Sequence, residues 1–401
     1  MIAFFLAPIY LLVVFYLAIR TIAWLSSWYA EFRTWKGRVP VFVIYGLLSM
    51  TIPVAFLLPN GTKIRWIGQM IANYWLGMLM YLVTVIVVAD VVRLILHRVR
   101  HMKKGQHFPR PVFAGIGLLC AIIISIVSVY GIVHARKIYT TTYNITMDQK
   151  SSSIKGLNVV LVSDIHLGYN IGAKHLQRMV DKINAEQPDV VVIAGDFFDN
   201  DYDAVREPEK DIEILSGIQS KYGVYACFGN HDIKEKILAG FTFGWNDPEK
   251  ASDPRMDEFV EKAGITLLQD EYVKIADSFY LYGRPDAEKP GRGIAERKTP
   301  EELMAEMTGD LPVIVIDHEP RELQELADAG VDLDLCGHTH DGQMYLGKIL
   351  TDIYWENPCG YLQKGQMQNI VTSGVGVFGP NMRVGTNAEI CSIQITFEPQ
   401  Q

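Results

Sequence analysis

Five stretches of this 401-residue chain begin as apolar, β-branched runs and end in side chains that bind metal ions. The first, Asn158-Val-Val-Leu-Val-Ser-Asp-Ile-His-Leu-Gly168, presents Asp164 and His166 two residues apart. Side chains at i and i+2 of an extended segment point the same way, so this carboxylate and imidazole can grip one ion. A lone Asp-x-His pair is more commonly a hydrogen-bonded couple, but four further runs repeat the arrangement. Asp189-Val-Val-Val-Ile-Ala-Gly-Asp196 ends in a carboxylate, and Val224-Tyr-Ala-Cys-Phe-Gly-Asn-His-Asp232 ends in Asn230, His231 and Asp232. Leu311-Pro-Val-Ile-Val-Ile-Asp-His318 ends in His318, and Leu333-Asp-Leu-Cys-Gly-His-Thr-His340 ends in His338 and His340. Even without Asp232, the eight remaining ligands exceed the needs of one ion and suit two. Imidazoles with carboxylates and no thiolate favour Mn, Fe or Zn over Ca or Mg.

The elements that must position these residues are readable from periodicity. Each run has the length and composition of a buried strand, and the segments 173–185 and 207–221 have the amphipathic pattern of crossover helices. In an open α/β sheet, ligands bind outside the carboxyl ends of the strands, which is where these residues fall. Further along, 257–264 and 320–329 read as helices, and 265–283 reads as two strands that start a second sheet.

The motifs Asp164-Ile-His166, Gly195-Asp196, Gly229-Asn-His-Asp232, Asp317-His318 and Gly337-His-Thr-His340 resemble, in order and spacing, those of the calcineurin-like metallophosphoesterase superfamily. The resemblance runs from about Ile154 to the C-terminus. The run Gly337-His-Thr-His-Asp-Gly-Gln343 is similar to that of a membrane-attached bacterial branch, which usually has glycine where this chain has Asp341. The resemblance implies an α/β fold, a two-sheet αββα sandwich. It also implies two divalent metal ions, one held by Asp164, His166 and His340 and the other by Asn230, His318 and His338, with Asp196 bridging them. His231 is then free to protonate the leaving-group oxygen, with Asp232 orienting it. The implied activity is hydrolysis of a phosphate ester or pyrophosphate by attack of a metal-bridging hydroxide. Residues 158–340 offer no nucleophilic Ser or Cys elbow, so no covalent intermediate is expected.

The chain ahead of these motifs is of another kind. Its mean hydropathy, +0.12, is high for a soluble protein, and the apolar excess is concentrated in residues 2–19, 40–58, 71–96 and 112–133. Each stretch is long enough to cross a hydrocarbon core of about 30 Å as a helix. Arginine and lysine crowd the connections after the first and third stretches and are sparse in the others. The positive-inside rule puts those two connections in the cytoplasm and the motif-bearing domain outside it. Asp90, near the inner end of the third span, reads either as a partner of Arg93 or as a relay residue. The expected division is 1–136 as a four-helix transmembrane region, 137–155 as a tether, and 156–401 as the catalytic domain.

Charge divides at the same place. Residues 1–140 carry 14 Lys and Arg against two acids, and the remainder carries 23 against 43. So acidic a domain repels nucleic-acid backbones, which argues against a nucleic-acid partner. Phe241, Phe243 and Trp245 lie among glycines just after the third motif and read as a packed loop or as an aromatic flap facing lipid. The run 374–379 fits a dinucleotide fingerprint in form, but Pro380 follows and no helix opens there. Its glycines instead suit a close backbone approach to the site. Arg383 reads as a surface residue or a phosphate holder, and the five cysteines show no metal-like spacing.

These readings combine into a membrane-bound phosphoesterase acting on a lipid or lipid-linked phosphate, with the bilayer as its partner. The alternatives are a phosphodiesterase for soluble substrates and a sensor or transporter whose outer domain only binds metal or phosphate.

Overall fold

A computed structural model describes residues 2–99, 108–235, 237–238, 241–242 and 252–399. Phe243 and Trp245 lie outside them, and only the backbone of Phe241 is described. The chain opens with four helices long and apolar enough to cross a membrane: α1 (Ile2–Trp28), α2 (Trp35–Leu57), α3 (Lys63–Val99) and α4 (Arg110–His134). A helix satisfies every backbone polar group within itself, which a hydrocarbon environment demands. Within this helical unit Leu17, Trp75 and Leu79 pack together. Asp90 pairs with Arg20 and, at 3.5 Å, with Arg93, and it accepts a hydrogen bond from the Tyr16 hydroxyl at 2.5 Å. The expected Arg93 pair exists, but the closer partner comes from another helix.

The larger unit begins at His134 and is α/β. In chain order the strands are β1 (Ile138–Asp148), β2 (Gly156–Val162), β3 (Val190–Ala194) and β4 (Val224–Cys227), then the short pair β5 (Ile237–Leu238) and β6 (Phe241–Thr242) of the helical unit. The α/β unit continues with β7 (Thr266–Leu267), β8 (Glu271–Ile275), β9 (Phe279–Gly283), β10 (Val313–Ile316), β11 (Leu333–Cys336), β12 (Gly360–Lys364), β13 (Met367–Val371) and β14 (Ala388–Glu398). Its helices are α5 (Ala173–Ala185), α6 (Pro208–Leu215), α7 (Pro254–Lys262), α8 (Pro300–Ala305), α9 (Leu323–Ala329) and α10 (Tyr345–Tyr354).

Two six-stranded sheets form, in the orders β1-β14-β2-β3-β4-β7 and β12-β13-β11-β10-β9-β8. The motif strands β2, β3 and β4 are parallel neighbours in the first, and β10 and β11 are parallel neighbours in the second. Val159, Leu161 and Val192 meet Ile314, Ile316 and Leu335 between the sheets. Met179 of α5, Leu215 and Phe259 of α7 cover the outer face of the first sheet, and Leu303 and Leu326 cover that of the second. Layers run helix, sheet, sheet, helix, as a strand with two buried faces requires.

One sequence expectation needs correction. Residues 137–155 are not a tether, because β1 occupies most of the segment and pairs in parallel with β14 from Ile138↔Ala388 to Asp148↔Glu398. Its Thr- and Tyr-rich composition suits an edge strand with one wet face, a pattern that a search for apolar runs passes over. The second crossover helix is also shorter than expected, ending at Leu215 before Ser216 and Gly217.

Candidate metal centre

Five of the motif side chains reach the site through the same local device. After its strand ends, the backbone turns sharply, and Asp164, His166, Asp196, His338 and His340 all have φ between +51° and +69°. Left-handed backbone costs a non-glycine residue about 1–2 kcal/mol, and such strain persists where surrounding bonds over-determine it. Here they do. The N–H groups of Asp164 and His166 donate to the carbonyls of Gly195 and Asp196 at 3.0 Å each, and Val375 and Gly376 donate to Ser163 and Asp164. Gly374 is required for that last approach, since a Cβ on it would lie 2.7 Å from Cβ of Asp164.

The result is two clusters of donors sharing one carboxylate. In the first, Nε2 of His166 and Nε2 of His340 are 3.0 Å apart, with Oδ1 of Asp164 3.3 Å from the latter. In the second, Oδ1 of Asn230, Nε2 of His318 and Nδ1 of His338 lie 3.0–3.2 Å from one another. Oδ2 of Asp196 stands between them, 3.6 Å from Nε2 of His166 and 3.2 Å from Nε2 of His318. Ligand atoms about 2.1 Å from a common ion are themselves about 3.0–3.4 Å apart, a spacing the second cluster shows throughout and the first shows around His340, its Asp164–His166 pair being wider at 4.0 Å. Oδ1 of Asp164 is buried without a hydrogen bond, as a group awaiting a cation would be.

Neighbouring groups set the orientation of these ligands. His318 can donate from Nδ1 to the Ala194 carbonyl at 2.8 Å, leaving Nε2 with its lone pair toward the cluster. His338 directs Nε2 at Glu319, 3.3 Å away, and burial pushes that carboxyl up to about 7. Burial also raises Asp164 above the usual carboxylate range. Against the same burial penalty, His318, His231 and His166 hold Asp196 below it. The carboxylate of Asp317 faces away from the cluster and forms a buried pair with Arg284 at 2.9 Å, joined by Arg297 at 3.0 Å.

His231 sits beside the clusters. Its ring packs edge-on to His166, with centroids 5.1 Å apart, and against Phe378 at 4.4 Å, and its N–H donates to Oδ1 of Asp196 at 2.8 Å. Burial drives its imidazole down to about 4, with Asp196 opposing. Asp232 does not orient this ring. It accepts the N–H groups of Asp196, Gly229 and Phe198 at 2.8–3.0 Å, and the partner of Nδ1 of His231 is the side chain of Asn200.

Residues 157–342, which contain all of these donors, match the calcineurin-like phosphoesterase family. This segment is similar to calcineurin-like phosphoesterase domains. Among its relatives is a transmembrane protein with metallophosphoesterase domain from Danio rerio, 31% identical over 295 residues that make up 69% of this chain and 62% of that one. An uncharacterised metallophosphoesterase of Campylobacter jejuni is 26% identical over 60% of this chain and 59% of its own. A UDP-2,3-diacylglucosamine pyrophosphatase of Chlamydia trachomatis is 24% identical over 51% of this chain and 70% of its own. The chain thus spans about three-fifths of the length of the zebrafish relative.

Several residues of the site escaped sequence reasoning. Asn200 lies four residues after Asp196 and Glu319 directly follows His318, so proximity to a motif was the available signal. Arg383 is neither a surface residue nor an exposed phosphate holder. It is fully buried and donates to the carbonyls of Ser373, Gly374, Gly376 and Asn387 at 2.7–3.2 Å, with Nη2 3.3 Å from Nδ1 of His340. Asp341 takes the left-handed position a glycine would occupy, and its carboxylate is held by Lys348. Arg383→Lys keeps the charge but loses the planar fork that binds the 373–376 turn to His340. We expect it to lower metal affinity about 10–100-fold, the scale seen for groups that orient ligands. Metal titration of the purified protein checks this, and an unchanged affinity would contradict it.

Proposed function

We propose that the chain hydrolyses a phosphate ester or pyrophosphate of a lipid or lipid-linked substrate, with a dinuclear metal centre facing the outside of the membrane. The observation that carries the reading is the Asp196 carboxylate standing between two complete donor clusters. In this reading Asp164, His166 and His340 hold one ion, and Asn230, His318 and His338 hold the other. Asp196 serves both. The donor set contains no thiolate and fits Mn, Fe or Zn. Two such ions, when bound, supply an activated water and neutralise charge on the phosphoryl oxygens. His231, positioned by Asn200 and by its N–H bond to Asp196, gives a proton to the leaving oxygen. An anionic phosphoryl group beside the ring favours the protonated imidazole that this role needs.

The lipid part of the reading rests on α10. This helix directly follows the last motif, and Trp355 at its end packs edge-on against His338 with centroids 5.3 Å apart. Its large apolar residues face solvent, with Leu350 67%, Ile353 78% and Tyr354 73% exposed. Outside α10, the only exposed large apolar side chains among the described residues of the α/β unit are Tyr272, at 39%, and Tyr361, at 45%. An apolar patch at the edge of a polar site suits a substrate with a phosphate head and a hydrocarbon body. The Chlamydia relative is named for a diacylated, pyrophosphate-linked substrate, which agrees with this chemistry. The two arginine-rich connections of the helical unit support placing the catalytic domain outside the cytoplasm.

The test compares kcat/KM for a lipid phosphoester and for its deacylated head group, with Mn²⁺, in wild type and in Leu350→Ser/Ile353→Ser/Tyr354→Ser. Burying one Leu or Ile side chain is worth about 1.5–3 kcal/mol, so the triple variant should lose at least on the order of 10–100-fold on the lipid and little on the head group. If wild type cleaves the head group as well as the lipid, the lipid reading fails.

A further inference from the structure

The helical unit contains a cavity of about 580 Å³ whose lining includes Arg20, Arg33, Arg93, His97 and Arg110, with no carboxylate among its described lining residues. Four guanidinium groups facing one space repel each other. Asp90 answers Arg20 and Arg93. Arg33 and Arg110 converge instead on a single neutral acceptor, the carbonyl of Ser26, at 3.4 Å and 3.3 Å. Positive charge at the ends of spans is common and orients them, but orientation alone does not require cations from all these elements to share one cavity. Two of the guanidinium groups come from α1 and the turn after it, one from α3 and one from α4.

A second cavity of about 290 Å³ adjoins the first, since Arg20 and Phe113 line both. Its remaining wall is largely apolar and includes Trp24, Leu82, Ile86 and Ile124. A basic chamber beside an apolar one matches a single kind of molecule, an anion carried on a hydrocarbon chain. Guanidinium forks pair with phosphate oxygens through parallel charged hydrogen bonds, and basic pockets between membrane helices take lipid head groups in this way.

We propose that the helical unit binds one anionic phospholipid, its phosphate between Arg33 and Arg110 and one acyl chain in the cavity beside Trp24 and Leu82. This site is separate from the hydrolytic centre and does not depend on what that centre cleaves. The helices then do more than anchor the chain: they read the charge of the surrounding lipid.

Native mass spectrometry of the full chain in neutral detergent tests this, with EDTA present so that no metal-dependent hydrolysis intervenes. Phosphatidylglycerol should be retained at least tenfold better than phosphatidylcholine, and Arg33→Gln/Arg110→Gln should abolish that preference. Ala121→Phe, which fills the apolar cavity, should lower phosphatidylglycerol retention while leaving the basic chamber intact. Glycerol 3-phosphate at a hundredfold excess should not displace the lipid. Displacement by it would assign the site to a soluble phosphate and overturn the lipid assignment. Equal retention of the two lipids, or wild-type retention by both variants, would overturn the site itself. Melting temperature and gel-filtration profile report whether each variant folds. Should the arginine variant fail to fold, Ala121→Phe and the lipid comparison decide the matter.

Discussion

Replacing Asp196 by asparagine will remove metal and activity together. Oδ1 of Asp196 accepts the His231 N–H at 2.8 Å, and the asparagine oxygen can keep that bond. Oδ2, the atom between Nε2 of His166 and Nε2 of His318, then becomes an NH₂ group. A donor without negative charge replaces the one atom that faces both clusters. Two ions about 3.5–4 Å apart repel each other, and without the shared carboxylate at least one should be lost. Stabilisation by a metal ion is worth several kcal/mol, so turnover should fall by on the order of 10²–10⁴-fold. Metal analysis and steady-state kinetics on the same Asp196→Asn preparation check this. A single ion per wild-type chain with full turnover would contradict the dinuclear reading, as would full metal content in the variant.

His231→Ala should separate chemistry from metal binding. The ring lies against His166 and Phe378, outside both donor clusters, so its loss leaves the ligands of each cluster in place. A leaving alkoxide needs a proton and a nitrophenolate does not. The variant should therefore lose on the order of 10²–10⁴-fold on a substrate with a poor leaving group, and far less on a chromogenic ester. Equal losses on both would mean that His231 serves another purpose. Asn200→Ala should repeat the pattern more weakly, because Asn200 acts through the ring it positions.

Much of the site was legible because its information is local. A β-branched run followed by Asp164 and His166, or by His338 and His340, states both the strand and the chemistry at its end. The fold-level rule that ligands gather at strand carboxyl ends turned five such runs into one centre. The four spans were legible for a similar reason, since hydrocarbon imposes a continuous apolar length that no distant contact can supply. Readings that depended on a partner from elsewhere in the chain did less well. Asp232 was placed on His231 by adjacency, whereas it caps the backbone of Asp196 and Phe198, more than thirty residues away. Residues 137–155 carried no apolar run and read as a tether, yet β1 is held in place by β14 at the far end of the chain.

The amino-acid sequence by itself determined which atoms are available to hold metal and that four helices can cross a membrane. Each of these follows from a residue's own chemistry and that of its near neighbours. Only the tertiary structure decided what those atoms face. It buried Arg383 under the turn beside His340, set Arg33 and Arg110 on one carbonyl, and left the apolar side chains of α10 in the open. An apolar helix such as Tyr345–Tyr354 has the composition of a core element, and nothing in its ten residues says whether another layer will cover it. Burial is a property of the whole packing, because a side chain is excluded from water by residues that can lie anywhere in the chain.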